Sequence, residues 1–506
     1  MNAAPRLLRG AFVLAMGGVG MALAIVLPGL TAKSALFGVA GLGTVLLLIM
    51  SGRPKEVLLG GYIIALTYNR QYFSFEWLTG DQHSQGLYWI PADLFLVALI
   101  AVSLLEHIRP GVVPRAASSD VLASSGSPSI VAAAMPALLF MAVFILSALL
   151  AERPDWSFNE LTRVLRFVVV LVWLHLNMTR ALWFTAVGTL ALSALLQAGL
   201  GTLQVLLHAD RSLLSVLGGA SETVYTEGGE IDMLENRARG TLGHPNYLAP
   251  YLLFLLPGFL GALLYSRVRL TRLLSLGLLL MGIAGMIATK SRAPILLTSV
   301  ALLLVALIAV RDRVLSLTAA AATAVVATTA LALAAIPFAD VIYQRIAGDW
   351  SASVTFRTEY NQAAIAIWND APLLGIGPNN GVIGLARHSP LFSWLVKDLE
   401  TLSGGVPVRA VAPVHNVYLL FLAETGVLGL SAFVALLATV LWRMVRGYRA
   451  AEGAVSGICL GLAVGMVAQL VQQTLDFSLW FDPSWYTLAV LMAVVGTVPS
   501  LRPVLR

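Results

Sequence analysis

Charged residues are scarce in this sequence. Only 11% of its 506 residues are Asp, Glu, Lys or Arg, whereas 58% are hydrophobic and the mean hydropathy is +0.85. A soluble domain cannot carry so much apolar surface, because its exterior must be solvated. The composition therefore excludes a soluble globular protein. It predicts an all-α, polytopic membrane bundle of about 12–14 transmembrane helices, forming one integral membrane domain over residues 1–506.

Cysteine and the common cofactor motifs are also nearly absent. Cys459 is the one cysteine, so no intramolecular disulfide can form. The sequence has no P-loop, GxGxxG, HExxH, CxxC or GxSxG string. Glu230 and Asp232 form a carboxylate pair that no histidine or third carboxylate completes, so we interpret it as a solvated acidic loop and predict no metal and no other cofactor. The net charge of +6 comes without a basic run interleaved with aromatics, so no nucleic-acid partner is expected.

Hydrophobic segments, in contrast, fill most of the chain. We identify about fourteen of them by length and hydropathy. They cover roughly residues 11–30, 35–51, 56–68, 91–106, 130–151, 164–178, 181–207, 246–266, 271–289, 293–310, 314–336, 414–442, 452–475 and 484–500. The third is short and is the weakest candidate for a complete span. Arg6 and Arg9 precede the first segment as in a signal peptide, but the long run without a small-x-small cleavage site favours an uncleaved anchor.

The basic residues of the short loops predict the orientation. They concentrate in alternate tight turns, such as SRVRLTR at 266–272 and RDR at 311–313, and such turns are cytoplasmic by the positive-inside rule. Both termini then face the cytoplasm, and the two long loops, 208–245 and 337–413, face outward. The second contains TFRTEYNQAAIAIWND at 355–370, whose helical spacing predicts short helices packed over the bundle.

Polar residues collect at three outward places, residues 237–246, 289–294 and 414–416. Arg239 and Arg292 lie in the first two, where the positive-inside bias disfavours cations. One interpretation is an anionic ligand at the outer membrane face, which a guanidinium binds bidentately. The alternative is snorkelling of the arginines to lipid headgroups.

His415 lies where the outer loop ends and a hydrophobic helix is predicted to begin. Pro413 suits the first turn of such a helix. The positive end of the helix dipole disfavours imidazolium, so the ring should stay neutral and be able to accept a proton. The alternative is a histidine that only caps the helix or lines the membrane interface. Glu424 lies nine positions further on, about half a turn away in angle, so we expect it to satisfy a neighbouring helix instead.

A polar stripe follows in the thirteenth apolar segment. Its members share one helical face, at positions i, i+3, i+4 and i+7, and are Gln469, Gln472, Gln473 and Asp476. Such a stripe should face protein or a water-filled cavity rather than lipid, and interhelical hydrogen bonding explains it as well as a functional cavity does. Trp480 and Trp485 follow where an interfacial aromatic belt is expected.

These motifs, taken in order, resemble those of the O-antigen ligase superfamily of bacterial inner-membrane glycosyltransferases. RGTLGHPN at 239–246 is similar to the family string R-G-T-x-G-H-P-N, Ser291-Arg292-Ala293 to its S-R-small turn, and PLLGIGPN at 372–379 to its loop signature. His415, Asn416, Gly426 and Gly429 match the family pattern H-N-x9-G-x-x-G.

The resemblance implies a transferase with its active site on the periplasmic side of the inner membrane. Its partners would be membrane lipids, a glycan donor on undecaprenyl pyrophosphate, and an acceptor hydroxyl on lipid A–core or on another glycan. It implies a catalytic base at His415 and pyrophosphate binding by Arg239, Arg292 and, in FRTEY, Arg357. Candidates for acceptor or sugar contacts are Asn416, Gln473 and Asp476.

Other functions stay open at this point. The ligase type is favoured, with an O-antigen or exopolysaccharide polymerase as the alternative that shares the donor chemistry. An O-linked protein oligosaccharyltransferase, a rod-shape-family peptidoglycan polymerase and a lipid-linked-sugar flippase or transporter are further alternatives. A transporter would carry coupling-ion carboxylates near the bilayer midplane, where Glu424 is the main candidate.

Overall fold

The computed structural model describes most of the chain. The ranges are 52–68, 72–79, 85–108, 130–207, 224–226, 229–231, 237–318, 351–392, 408–409 and 413–501. The predicted segments 11–30 and 35–51 lie outside the described residues, as does most of 314–336.

Thirteen α-helices make up the bundle in these ranges. They are α1 Pro54–Leu66, α2 Pro91–Ile108, α3 Ile130–Leu149, α4 Pro154–Asn177, α5 Arg180–Leu206, α6 Pro245–Tyr265, α7 Arg269–Ala288, α8 Arg292–Arg311, α9 Ser351–Asp370, α10 Gly381–His388, α11 Val417–Ala450, α12 Gly453–Gln472 and α13 Asp482–Thr497. The prediction of an all-α membrane bundle is confirmed.

Seven of the described helices are long and apolar enough to cross a membrane, namely α2, α5, α6, α7, α8, α11 and α12. Each coincides with a predicted segment. The weak third segment corresponds to α1, whose 13 residues span only about 20 Å, too short for a bilayer core of about 30 Å. The loop 337–413 contains the predicted helices, α9 and α10.

Two local features differ from the sequence pattern. Helix α4 begins at Pro154, ten residues before the predicted start of its segment, because its first three turns are polar yet buried against protein. The described residues also contain five short strands: β1 Tyr72–Thr79, β2 Gln85–Trp89, β3 Val224–Thr226, β4 Gly229–Ile231 and β5 Val408–Arg409. The hairpin β1–β2 is antiparallel, and β5 pairs with β1 in parallel, so the hairpin between α1 and α2 is joined to the loop 337–413.

Helix α6 packs against α12 through small residues at the centre of the bundle. A Cβ on Gly261 would lie 1.8 Å from the carbonyl oxygen of Gly457, and a Cβ on Gly461 would lie 1.9 Å from that of Pro257. Only glycine allows backbones to approach so closely, which is how membrane helices without a hydrophobic driving force gain contact. This pairing holds the second half of α6 against α12, and the first turn of α6 carries part of the candidate site.

A cluster of aromatic rings fills the core between α3, α11 and α13. The ring centroids of Phe421 and Phe433 are 4.3 Å apart, and those of Trp480 and Trp485 are 4.8 Å apart. Trp480 and Trp485 are only 6% and 0% exposed. The prediction that they form an interfacial belt is therefore wrong, because packing against phenylalanines buries both indoles.

Helix α11 is broken at Gly426, where the backbone has φ 64° and ψ −169°. The loop 372–377 fills the break. The N–H of Val427 donates to the carbonyl of Pro372 at 3.0 Å, and the N–H of Ile376 donates to that of Ala423 at 3.1 Å. The break therefore ties the loop to the helix that begins beside His415.

Candidate active site

Two glutamines of α5 hold the turn that contains Arg239. The side-chain oxygen of Gln204 accepts the N–H groups of Arg239 and Gly240 at 3.2 and 2.9 Å. Gln197 accepts the N–H of Thr241 at 2.8 Å. Gly240 has φ +59°, and a Cβ there would lie 2.4 Å from the Gln197 side-chain oxygen. The glycine of the R-G-T string is therefore required by this turn.

The same turn docks on the turn between α7 and α8. The N–H of Ala238 donates to the carbonyl of Ala288 at 2.9 Å. The guanidinium of Arg237 donates to the carbonyl of Thr289 at 2.9 Å and to the hydroxyl of Ser291 at 3.0 Å, and that hydroxyl donates to Asn246 at 3.0 Å. The first two polar places of the sequence are thus one structure, which we call the cationic turn, residues 237–246 with 288–292.

The cationic turn contains two of the predicted pyrophosphate-binding residues. Arg239 is only 6% exposed, so it lies inside the turn. Arg292 is the first residue of α8 and is half-buried, and Lys290 before it has φ 53°. Several positive groups are therefore held together at one end of the bundle, an arrangement that suits an anionic ligand.

His244 caps α6 rather than serving as an independent polar group. Its Nδ1 accepts the backbone N–H of Asn246 at 3.0 Å, so the neutral ring carries its proton on Nε2. His244 is therefore a structural residue of the turn before Pro245.

His415 lies directly before the first turn of α11. The side-chain oxygen of Asn416 accepts the N–H groups of Tyr418 and Leu419 at 3.1 and 3.2 Å, which makes Asn416 the N-cap. Pro413 precedes this cap and is not in the first helical turn, because α11 begins at Val417. The imidazole is half-buried and lies beside the positive end of the helix.

The turn that follows α12, residues 473–482, packs against this helix start. The backbone N–H of Val417 donates to the carbonyls of Gln473 and Asp476 at 3.1 and 3.2 Å. Gln473 is 0% exposed, donates to the hydroxyl of Ser478 at 3.0 Å and accepts the N–H of Leu479 at 2.9 Å. All four members of the predicted polar stripe are buried, at 6% exposure or less, so the stripe faces protein as expected.

Helix α9 lies over His415 and brings the third predicted arginine. The Tyr360 ring centroid is 5.5 Å from that of His415. Burial raises the pKa of the Asp476 carboxyl to about 6, whereas the N–H of Phe477 and the charge of Arg357 act to lower it. Arg357 is therefore near the 473–482 turn, one helical turn before Tyr360.

A row of aromatic rings connects the cationic turn to His415. The ring of Tyr247 stacks on Phe481 with centroids 3.6 Å apart, Phe481 is 5.9 Å from Phe477, and Phe477 meets His415 edge-on at 5.4 Å. The predicted site residues from 237–246, 289–294 and 414–416 therefore lie at one end of the bundle, together with Arg357 and Asp476. The sequence analysis did not predict three of these rings, Tyr247, Phe477 and Phe481. None of them belongs to a sequence motif, and they come from two segments far apart in the chain.

Residues 276–434 match the family model described as O-antigen ligase. This match covers about a third of the chain and supports the O-antigen ligase superfamily. The matched range contains Arg292, Arg357 and His415, whereas Arg239 precedes it. No curated protein matches the chain. The match supports, in general terms, a glycosyltransferase activity of the O-antigen ligase or polymerase type.

The ligase family's loop signature has a structural role in this chain. Both carboxylate oxygens of Glu424 accept backbone N–H groups of that loop, from Asn379 at 3.0 Å and from Gly381 at 3.1 Å. Glu424 thus binds the start of α10, in agreement with the expectation that it satisfies a neighbouring element. Gly375 has φ +67°, and a Cβ there would lie 2.3 Å from the backbone of Glu424. The close approach of the loop to the helix break therefore requires glycine at both Gly375 and Gly426.

A buried charged cluster at the same end of the bundle was also missed. Arg163 donates to Asp482 at 2.9 Å and to Glu160 at 2.6 Å, and the Tyr88 hydroxyl donates to Asp482 at 2.9 Å. The Arg163 guanidinium lies 5.5 Å from the centroid of the Trp480 ring. The cluster fixes the end of the 473–482 turn. Its one local signal is the i, i+3 spacing of Glu160 and Arg163, which predicts a pair on one helical face.

Proposed function

We propose that the protein moves a glycan from undecaprenyl pyrophosphate to an acceptor hydroxyl at the periplasmic face of the inner membrane, as an O-antigen ligase does. The observation that carries the proposal is the shared location of His415 and the cationic turn, with a continuous row of rings between them. A proton acceptor and fixed cations at one end of an apolar bundle suit a substrate whose lipid tail lies among helices and whose anionic group lies at the membrane surface.

The reaction assigns a separate task to each group. The acceptor oxygen forms a bond to the anomeric carbon of the donor sugar while the bond from that carbon to the pyrophosphate oxygen breaks. His415 takes the proton of the attacking hydroxyl. Undecaprenyl pyrophosphate leaves as an anion, whose developing charge is stabilised by guanidinium groups already held in place.

We assign the pyrophosphate to Arg239, Arg292 and Arg357. Arg239 and Arg292 belong to one hydrogen-bonded turn, supported by the bond from Ala238 to Ala288. Arg357 comes from α9, whose Tyr360 ring lies 5.5 Å from that of His415. The three guanidinium groups would hold the leaving group at the same end of the bundle as the base.

The three residues predicted to contact acceptor or sugar receive different assignments. Asn416 uses its side-chain oxygen to cap α11, and Gln473 is engaged within its turn. We assign both to positioning the site. Asp476 remains a candidate for contact with the acceptor, because its carboxylate lies close to Arg357 and next to Phe477.

The test is glycan transfer by purified protein from a lipid-linked donor. His415→Ala should lower turnover by roughly 10²–10⁴-fold, the usual contribution of a positioned base, with donor binding retained. Arg292→Lys should remain impaired, because an ammonium lacks the bidentate fork. Arg387→Ala is the matched control: Arg387 is an exposed arginine that is paired with Glu152 and that we assign no part in catalysis. His415→Ala with near wild-type turnover would place the base elsewhere.

The acceptor decides between ligase and polymerase. Transfer to lipid A–core supports the ligase assignment, and transfer only to a second lipid-linked repeat supports a polymerase. A flippase would move donor across a vesicle membrane without forming a glycosidic bond. The buried carboxylate that a transporter would use, Glu424, is already bound to two backbone N–H groups, which favours the enzyme.

A further inference from the structure

We propose that Tyr247 and Phe481 form a platform on which the first sugar ring of the lipid-linked donor packs. This inference rests on the proposed function and names a sugar-binding element within it. The two rings come from the start of α6 and from the 473–482 turn, and they stack with centroids 3.6 Å apart and planes inclined by 29°.

The platform lies where the first sugar must lie. On one side Tyr247 is three residues from His244 in the cationic turn, with ring centroids 5.2 Å apart. On the other side Phe481 is separated from His415 by one ring, that of Phe477. A donor with its pyrophosphate at the cations and its anomeric carbon near the base has its first sugar between them.

The exposure of the rings fits a bound ring rather than a closed core. Tyr247, Phe481 and His415 are half-buried, whereas Phe477 and Tyr360 are 5% and 4% exposed. The buried rings pack beneath the site, whereas the partly exposed rings have accessible surface that a ligand can contact. A pyranose has an apolar C–H face that suits the electron-rich face of an aromatic ring, and the hydroxyl of tyrosine adds a polar contact at the edge.

The 473–482 turn holds Phe481 rigidly. Asp482, the next residue, accepts hydrogen bonds from Arg163 and Tyr88 at 2.9 Å each, and Gln473 binds the turn from within through Ser478 and Leu479. Binding elements are effective when their supporting contacts fix them before the ligand arrives. The buried charged cluster therefore holds the Phe481 ring in position against the ring of Tyr247.

The experiment compares ring-removing and ring-keeping variants in the transfer assay. Phe481→Leu and Tyr247→Leu should lower kcat/KM for the donor by about 3- to 10-fold, the equivalent of one aromatic contact. Tyr247→Phe and Phe481→Tyr keep an aromatic ring and should lose less kcat/KM than the corresponding leucine variants. KM for the acceptor should not change. Phe184→Leu is the matched control, because Phe184 is 46% exposed and lies at the start of α5, whose far end holds the cationic turn.

Sugar-free undecaprenyl pyrophosphate separates sugar stacking from lipid binding. The leucine variants should bind this lipid as the wild type does while binding the glycosylated donor more weakly. Equal weakening for both lipids, or a raised acceptor KM alone, would overturn the platform. So would unchanged kcat/KM in both leucine variants. If Phe481→Leu does not fold, Tyr247→Leu against Tyr247→Phe makes the same comparison.

The two proposals fail in different ways. A wild-type protein that transfers no lipid-linked glycan to any acceptor contradicts the proposed function. The binding comparison needs no turnover, so the platform is still tested. The platform is supported if the wild type binds glycosylated lipid more tightly than sugar-free lipid and Phe481→Leu abolishes that preference. It is contradicted if the wild type binds both lipids equally.

Discussion

Replacing Gly426 by alanine tests whether the glycine pattern of the family motif is architectural. The residue has φ 64° and ψ −169°, a backbone region that is essentially restricted to glycine. A Cβ there would lie 2.3 Å from the carbonyl carbon and oxygen of Leu373 and 2.5 Å from the nitrogen of Leu374. These are backbone atoms, so no side-chain rotation relieves the contact and the loop 372–377 must move.

The expected cost follows from the contacts that such a movement breaks. The backbone strain is worth about 1–3 kcal/mol. Four hydrogen bonds join the loop to α11 around the break, with donor–acceptor distances of 2.9 to 3.2 Å, and each contributes about 1 kcal/mol. Losing part of this network together with the strain predicts a destabilisation of roughly 3–6 kcal/mol.

The assay is thermal unfolding of purified variants in one detergent, followed by intrinsic fluorescence, with transfer activity measured in parallel. Gly277→Ala is the control, because Gly277 lies within α7 and nothing lies within 4 Å of a Cβ added there. It should leave the melting temperature unchanged or raise it slightly, since alanine is the better helix former by about 1 kcal/mol. Gly426→Ala should melt well below both. If it melts with the wild type and is nevertheless inactive, the architectural explanation is refuted and Gly426 belongs to the chemistry.

Three further predictions concern other parts of the structure. Glu424→Gln should lower the melting temperature by the equivalent of about 1–3 kcal/mol, because an amide offers one acceptor to two buried N–H groups; an unchanged melting temperature would contradict the loop-binding role. Burial raises the pKa of Asp476 from 3.8 to about 6, so the folded protein favours the protonated carboxyl. The stability that this preference contributes is fully present below about pH 4 and is lost as the pH rises through 6. Asp476→Asn should remove that decline in melting temperature and melt higher than the wild type at pH 7.5, and identical pH profiles would refute the assignment. A cysteine at Arg387 should react with an impermeant thiol reagent from the periplasmic side and one at Arg267 should not, and the reverse pattern would invert the topology.

The sequence by itself determined the class of the protein and the positions of the residues proposed for its chemistry. Long apolar runs predict membrane helices because the bilayer core leaves backbone groups no other partner, and each membrane-spanning helix among the described residues coincides with such a run. His415, Arg239 and Arg292 were found because each lies in a short polar string between apolar segments. Local composition and spacing suffice for features of this kind.

The tertiary structure alone decided how these strings meet and what the glycines do. Gly426 belongs to a local sequence motif, yet in the fold it opens α11 to a loop that lies about fifty residues earlier in the chain. The polar first turns of α4 resemble a loop in hydropathy, yet they are helical and packed against protein, with Arg163 bound to Asp482, which is 319 positions away. The platform of Tyr247 and Phe481 joins two segments that share no pattern. Such pairings depend on packing between distant parts of the chain, and periodicity within one segment carries no information about which distant surface will cover it.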